Sequence, residues 1–341
     1  MSTLPPRART SVRAVAAETG LSIATVSRVL NGNDRVAPST RTLVLEALDR
    51  LGTAAPIARG HGRQTGGPIF VRCPYVLSDY FGLIVSAIAE ELAAAGRPML
   101  LDAGESSQQR HPLGQLQTRA ETAGAILILP PEETAELTAL RRHGFPFVIV
   151  DPRTPAPDGT VVVSAAHHQG ARMLTHHLVD LGHRRIGVLA GPDEWVASRE
   201  RMAGHIAALA SVGVLQDPAL VLAEPATREA GAAGAQSLLA LPNPPTALVC
   251  FNDKVAIGAM RAARDLGLRV PEDVSIVGFD DSDLARAATP ELTTVAQPLA
   301  ELGRLAVAQL LRLINHEPID ALQVELGTRL VVRGSSGVAA R

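Results

Sequence analysis

Between residues 68 and 279 short apolar runs alternate with longer amphipathic ones, and this alternation restricts the fold more than any other feature of the chain. The pattern predicts strands at 69–73, 98–101, 125–129 and 147–150, separated by helices at 81–95, 113–121 and 134–142. It then restarts. Helices are expected at 169–181, 198–211, 228–239 and 254–266, and strands at 186–190, 219–222, 247–251 and 275–279. Apolar strands joined by helices make a parallel sheet covered on both faces. Two such runs in tandem predict an α/β body of two doubly wound subdomains with a cleft between them. Ligands in these sheets sit beyond the carboxyl ends of the strands, where the sequence places Asp151, Asp193, Trp195, Asn252, Asp253 and Asp280.

The first 52 residues follow a different rule. Residues 11–18 read as a helix with Ser11 as N-cap and Val12, Val15 and Ala16 on one stripe. Thr19-Gly20-Leu21 breaks it, because glycine accepts the left-handed conformation of a sharp turn. A second helix then carries Val26, Val29 and Leu30 inward, with Ser22, Ile23, Ala24, Thr25, Ser27 and Arg28 at its start and on its outer face. A third, from Pro38 to about Leu51, closes the small core. Two short helices about a tight turn form an all-α helix-turn-helix, whose second helix fits a DNA major groove. Residues 1–10 read as an arm in which Arg7 and Arg9 either touch phosphates or are solvated.

Charge is distributed to match. The net charge is −2, yet residues 1–64 hold nine Arg against four acids, a balance of +5 that leaves −7 for the remainder. A basic head is drawn to phosphates while an acidic body is repelled from them. With 46% hydrophobic and 19% charged residues the chain can bury large cores. No apolar run reaches membrane-spanning length and no signal core opens the chain, so a cytoplasmic protein without membrane contact is expected. Cys73 and Cys250 stand in unrelated contexts and read as small buried apolar residues. Neighbouring His on a helix point about 100° apart, so His167-His168 and His176-His177 are expected to be solvent-exposed rather than metal ligands. There is no nucleophile elbow, no P-loop and no metal spacing. Hence neither enzymatic activity nor a cofactor or metal is expected.

The run Ala24-Thr-Val-Ser-Arg-Val-Leu-Asn-Gly32, with Val15-Ala16 before it and Val36-Ala-Pro-Ser-Thr-Arg41 after it, resembles the headpiece of the LacI/GalR (lactose-repressor) family of bacterial transcription regulators. The likeness extends along the chain through Leu181-Gly-His-Arg-Arg-Ile-Gly, Arg199-Glu-Arg-Met-Ala-Gly204, Phe251-Asn-Asp253, Val270-Pro-Glu-Asp-Val-Ser-Ile-Val-Gly-Phe-Asp-Asp281 and Thr328-Arg-Leu-Val-Val-Arg-Gly-Ser335. It implies a headpiece at 1–52, a hinge or linker at 53–68 and an effector-binding and dimerisation body at 69–341. That body is similar to periplasmic sugar-binding proteins, with one subdomain at about 69–162 plus 297–323 and the other at about 163–293 plus 326–335. Chain crossings between them are expected near 160–165, 293–297 and 323–327.

The resemblance also implies roles. Base-edge contacts fall to Ile23, Ala24 and Arg28, and phosphate or supporting contacts to Ser22, Thr25, Ser27 and Asn31. The planar fork of Arg28 can bond two acceptors on a guanine. In the linker Ile57-Ala58-Arg59 matches, and Arg59 joins the DNA-contact set. Family members usually carry a Tyr-Arg-Pro-Asn signature there and a hinge helix that wedges a Leu into the minor groove. Here the signature is missing, and Gly60 and His61 stand where Ser and that Leu are expected. Gly60 and Gly62 would each cost a helix about 1 kcal/mol, so a stable hinge helix is not expected.

Effector contacts are implied at Tyr80, Phe81, Asp151, Trp195, Arg201 and Asp253. Carboxylates and a guanidinium bond vicinal hydroxyls, and an aromatic face covers a sugar ring. Trp195 either stacks on ligand or is a surface aromatic, and Arg201 and Asp253 either meet ligand or pair with each other. Where many relatives carry an Asp before the helix of Gly170, this chain has Ala166. The expectation is a homodimeric repressor on a pseudo-palindromic double-stranded operator, controlled by a small molecule with carbohydrate as the expected class. A cleft-type sugar-binding protein, a sugar-acting enzyme and a regulator with a purine effector are the alternatives.

Overall fold

The computed structural model describes residues 12–30, 37–51, 67–109, 113–116 and 122–339. In the head, α1 (Val12–Thr19), α2 (Ile23–Leu30) and α3 (Pro38–Arg50) enclose Val15, Ala16, Val26, Val29, Val44, Ala47 and Leu48. Gly20 makes the turn between the first two helices with φ +69°. Ser22 then caps α2, its Oγ accepting from Thr25 N at 3.1 Å. The expected cap Ser11 lies outside the described residues.

The first unit of the body contains β1 (Ile69–Cys73), α4 (Asp79–Ala94), β2 (Met99–Ala103), α5 (Leu113–Leu116), β3 (Gly124–Ile128), α6 (Thr134–Arg142), β4 (Phe147–Val150) and β5 (Val161–Ala165). The second contains α7 (His167–Asp180), β6 (Ile186–Ala190), α8 (Val196–Ala210), β7 (Val221–Ala223), α9 (Arg228–Leu239), β8 (Ala247–Cys250), α10 (Asp253–Asp265), β9 (Ser275–Val277), α11 (Asp283–Ala287) and β10 (Thr294–Ala296). Then α12 (Leu299–Ile314) and β11 (Gln323–Leu326) return to the first unit, and β12 (Arg329–Val331) to the second.

The first sheet runs β11-β5-β4-β3-β1-β2 and the second β7-β6-β8-β9, each wholly parallel. β10 and β12 form a small antiparallel ribbon. β1, β3 and β4 are buried along their whole length, as strands covered on both faces must be. α4 and α12 cover one face of the first sheet, through Ile84, Ile88, Leu302 and Leu310, while Leu137, Leu140 and Phe147 build the core on the other. In the second unit α7 and α8 pack as a pair, as do α9 and α10. Their backbones approach so closely that a Cβ on Gly204 would strike His168 O, and one on Gly258 would strike Arg228 O.

β5 and β11 lie in the first sheet over their full length, so that unit reaches Ala165 and Leu326, a few residues beyond 162 and 323. The chain crosses between units at 165–167, 296–299 and 326–329. No helix among the described residues is long and apolar enough to cross a membrane. Cys73 and Cys250 are buried and unbonded, and burial pushes both thiols up, Cys73 to about 12.

Candidate functional site

On the head, Ser22, Ile23 and Ala24 are exposed at the start of α2 and Thr25 is half-buried, while Val26 and Val29 point into the core. Ile23 leaves 51% of its surface to solvent, open to contact from outside the head. Ser27 and Arg28 lie on the same short helix. Asn31 and Arg59 fall outside the described residues.

The second site is built where strand ends of both units converge. Backbone torsions mark it. Leu129 (φ 45°), Asp151 (φ 46°), Asp280 (φ 121°) and Asp281 (φ 57°) all follow strand ends, and non-glycine residues in this region cluster at functional sites. Asp151, buried at the end of β4, accepts from Ala165 N at 3.2 Å and sits 3.1 Å from His167 Nε2 through Oδ1. Its Oδ2 accepts from the Tyr80 hydroxyl. Burial and the neighbouring carboxylate push the Tyr80 hydroxyl well above the usual tyrosine range.

From the second unit α8 brings Arg201 to the same place. Its Nη1 donates to Phe251 O at 2.5 Å, its Nη2 lies 3.3 Å from His167 Nδ1, and Nη2 is 3.9 Å from Asp280 Oδ1. The guanidinium carbon stands 3.7 Å from the Phe279 ring centre and 4.6 Å from that of Phe251. Such stacking is worth about 0.5–2 kcal/mol each. Burial lowers the Arg201 pKa, although Asp280, Tyr80, Asp151 and Asp253 oppose the shift.

Aromatic residues are scarce in this chain, with six Phe, two Tyr and one Trp. Six of these nine gather here. Tyr75 stacks on Phe81 at 4.6 Å, Tyr80 meets Phe81 edge-on at 5.0 Å, and Trp195 stands edge-on to both Tyr75 (6.4 Å) and Phe251 (6.0 Å). Phe279 completes the set beneath Arg201. The wall therefore joins residues of both units. Within the region Trp195 Nε1, Arg201 Nε and Gln297 Oε1 are buried without a hydrogen-bond partner among the described residues, a rare condition for polar atoms in a native interior.

Three direct bonds bridge the units at the edges. Arg153 of the first holds Glu194 at 3.3 Å and its carbonyl accepts from Val196 N at 2.9 Å. Lys254, the only lysine of the chain, donates to Ser78 Oγ at 2.9 Å.

Of the six residues assigned to effector by resemblance, Tyr80, Phe81, Asp151, Trp195 and Arg201 come together in this cleft. Asp253 does not join them directly, nor does it pair with Arg201. Its Oδ2 accepts from Ser282 N (2.8 Å) and Ser282 Oγ (2.9 Å), and its Oδ1 accepts from Thr294 Oγ1 at 2.6 Å. A carboxylate so occupied braces the loop that carries Asp280. His167 corrects another expectation: it is only 6% exposed rather than solvated, because α7 begins at the crossing between the units and turns its first side chain inward. His168 is exposed, and His177 is half-buried with Nε2 2.9 Å from Ser336 Oγ. Asp280 stood among the strand-end residues without an assigned role. Gln297, which donates to its Oδ1 at 2.7 Å, likewise had no assigned role.

Burial pushes the Asp280 carboxyl up to about 7 against the pull of Arg201, and burial likewise raises Asp253 to about 6. A carboxyl with its folded pKa above its unfolded value of about 3.9 keeps a proton that the unfolded chain has lost. Its contribution therefore declines as pH rises from about 4 to about 7. Asp280→Asn is accordingly expected to gain stability relative to the native protein over that rise, read as urea midpoints at pH 4.5 and 7.5. A difference between the two proteins that is the same at both pH values would contradict this.

Residues 11–52 match the model of bacterial regulatory proteins of the lacI family, and residues 175–336 match a periplasmic binding protein-like domain. The transcriptional repressor CytR of Escherichia coli K12 is 33% identical over 331 residues, covering 96% of each chain. The regulator MalR of Streptomyces coelicolor is 36% identical over 338 residues, covering 95% of this chain and 96% of its own. Among solved structures, a complex of the transcriptional regulator CelR with cellobiose superposes with TM-score 0.73 at 31% identity, covering 96% of this chain and all of that one. A short DNA-reading helix on a basic head, joined to a two-unit body with a buried cleft and matched over nearly the full length of such relatives, makes this chain a DNA-binding transcriptional regulator of the LacI family.

Proposed function

We propose that the protein is a cytoplasmic homodimeric repressor whose grip on a pseudo-palindromic operator is set by a sugar held in the cleft. On DNA, Ser22, Ile23, Ala24, Thr25, Ser27, Arg28, Asn31 and Arg59 make the contacts, with Arg28 reading a guanine. In the cleft, Arg201 and Asp280 bond hydroxyls, Trp195, Tyr80 and Phe81 cover the ring, and Asp151, with both oxygens engaged by Ala165, His167 and Tyr80, holds Tyr80 in place. Asp253 acts behind them by fixing the Asp280 loop. No nucleophile with an adjacent base stands in the cleft among the described residues, which favours binding over turnover.

The gathering of six aromatic rings around Trp195 Nε1, Arg201 Nε and Gln297 Oε1 carries this reading. Apolar faces with a few convergent polar atoms suit a ligand that is flat on its faces and hydroxylated at its rim. The CelR structure was solved with cellobiose, which supports the same class. Trp195 is the only tryptophan, so its emission reports from the cleft alone. A titration with cellobiose, maltose, ribose and adenosine is expected to give a saturable emission change with at least one sugar. Response to adenosine alone would move the effector to the purine nucleosides, and silence from all four would contradict the sugar reading.

A further inference from the structure

His167 is the first residue of α7, directly after β5, at the first crossing of the chain between the two units. Both of its ring nitrogens are engaged, Nε2 at 3.1 Å from Asp151 Oδ1 and Nδ1 at 3.3 Å from Arg201 Nη2. A guanidinium has donors and no acceptor, so the contact at Nδ1 exists only while that nitrogen is unprotonated. The ring proton then resides on Nε2 and is donated to Asp151. One neutral tautomer is thereby selected, and it links a carboxylate of the first unit to the guanidinium of the second.

We propose that His167 is a positioning residue, which holds Arg201 toward the effector only while neutral and protonated at Nε2, so that a proton on Nδ1 detaches Arg201 and weakens effector binding. The proposal rests on the reading of the cleft as the effector site. The groups around the ring decide the outcome. Asp151 from the end of β4 and Arg201 from α8 face the two ring nitrogens, and Asp280 beyond β9 lies next to Arg201. Tyr80 from α4 occupies the other oxygen of Asp151. Phe279, 6.1 Å from the ring of His167, brings no charge, and Asp253 is engaged by Ser282 and Thr294. Once Nδ1 carries a proton, two donors of like charge face each other across 3.3 Å and one must move. Asp151 retains the imidazolium, so the group that moves is Arg201.

Nitrogen-15 NMR on the full chain, labelled at His and Arg, decides this without an effector, with His167→Gln providing both assignment and control. A glutamine carboxamide can donate to Asp151 and accept from Arg201 but does not titrate. At pH 8 the Nε2-protonated tautomer of His167 is expected. Between pH 8 and pH 5 the Arg201 Nε–H resonance should move together with the His167 ring, and that movement should vanish in His167→Gln. Asp280 and Asp253 titrate in both proteins, so the difference between the profiles belongs to His167. For cellobiose, or whichever of the four compounds perturbs Trp195, affinity is expected to fall about tenfold more in the native protein than in His167→Gln over this range, the effect of one charge-assisted bond. His167→Gln should match the native protein at pH 8, whereas His167→Ala should bind weakly throughout. An Nδ1-protonated tautomer, or an Arg201 response unchanged in His167→Gln, overturns the proposal. Coupling of the two residues with no compound bound at any pH would instead sink the effector reading and leave the coupling standing.

Discussion

Arg201→Met is expected to bind operator DNA as the native protein does and to require an effector concentration about 100-fold higher, or more, for the same response. The guanidinium occupies the centre of the cleft, stacked on Phe279 and Phe251, with Nε unpartnered and Nη1 fixed on Phe251 O. Methionine can fill the slot between the rings but offers no donor. Hydrogen bonds to a charged group are worth about 1.5–3 kcal/mol each, so losing two amounts to a factor of about 100 or more. Fluorescence titration of Trp195 and operator binding on the same preparation check both halves. An effector affinity within threefold of native would remove Arg201 from the site.

Arg72→Ala is expected to destabilise the first unit by about 3–5 kcal/mol, the cost of breaking a buried ion pair from one side. Arg72 lies in β1 with no exposed surface. Its Nη1 bonds Asp102 Oδ2 at 2.6 Å and Ser107 Oγ at 2.9 Å, its Nη2 bonds Ser107 O at 3.1 Å, and its Nε lies 2.5 Å from Glu132 Oε1. Burial already raises the Glu132 carboxyl, with Arg72 holding it down. Alanine would leave Glu132 buried without its cation. A double variant, Arg72→Met with Glu132→Leu, should recover more than half of the loss, because apolar groups of similar volume need no partner. Urea unfolding measures both. A loss under 1 kcal/mol for the single variant would show that the cluster relaxes or hydrates freely.

The contrast between these residues shows how far the sequence can be read. Arg72 was visible only as a charge within the apolar run 69–73, and its partners lie 30, 35 and 60 residues away on other elements. Periodicity is a local property, and so the alternation of strands and helices and the three helices of the head were legible from it. Cleft residues at strand ends, such as Asp151 and Asp280, were legible because the topology of a doubly wound sheet dictates where strands finish. What each carboxylate does was not. Asp253 follows its strand as Asp280 does, yet Ser282 and Thr294, 29 and 41 residues further on, bond both of its oxygens. His167 was misread for a related reason. Helical geometry separates it from His168, but its burial depends on Asp151 and Arg201, contributed by two different units.

Binding selection from a random DNA library with the purified protein, repeated with each of the four test compounds present, reads operator recognition and effector control together. An enriched inverted repeat with half-sites about one helical turn apart is expected. The compound that perturbs Trp195 should release the selected DNA, and Arg201→Met should select the same repeat but no longer be released. Failure to enrich any sequence over random DNA, or a repeat whose binding no cleft ligand alters, would contradict control of operator binding from the cleft.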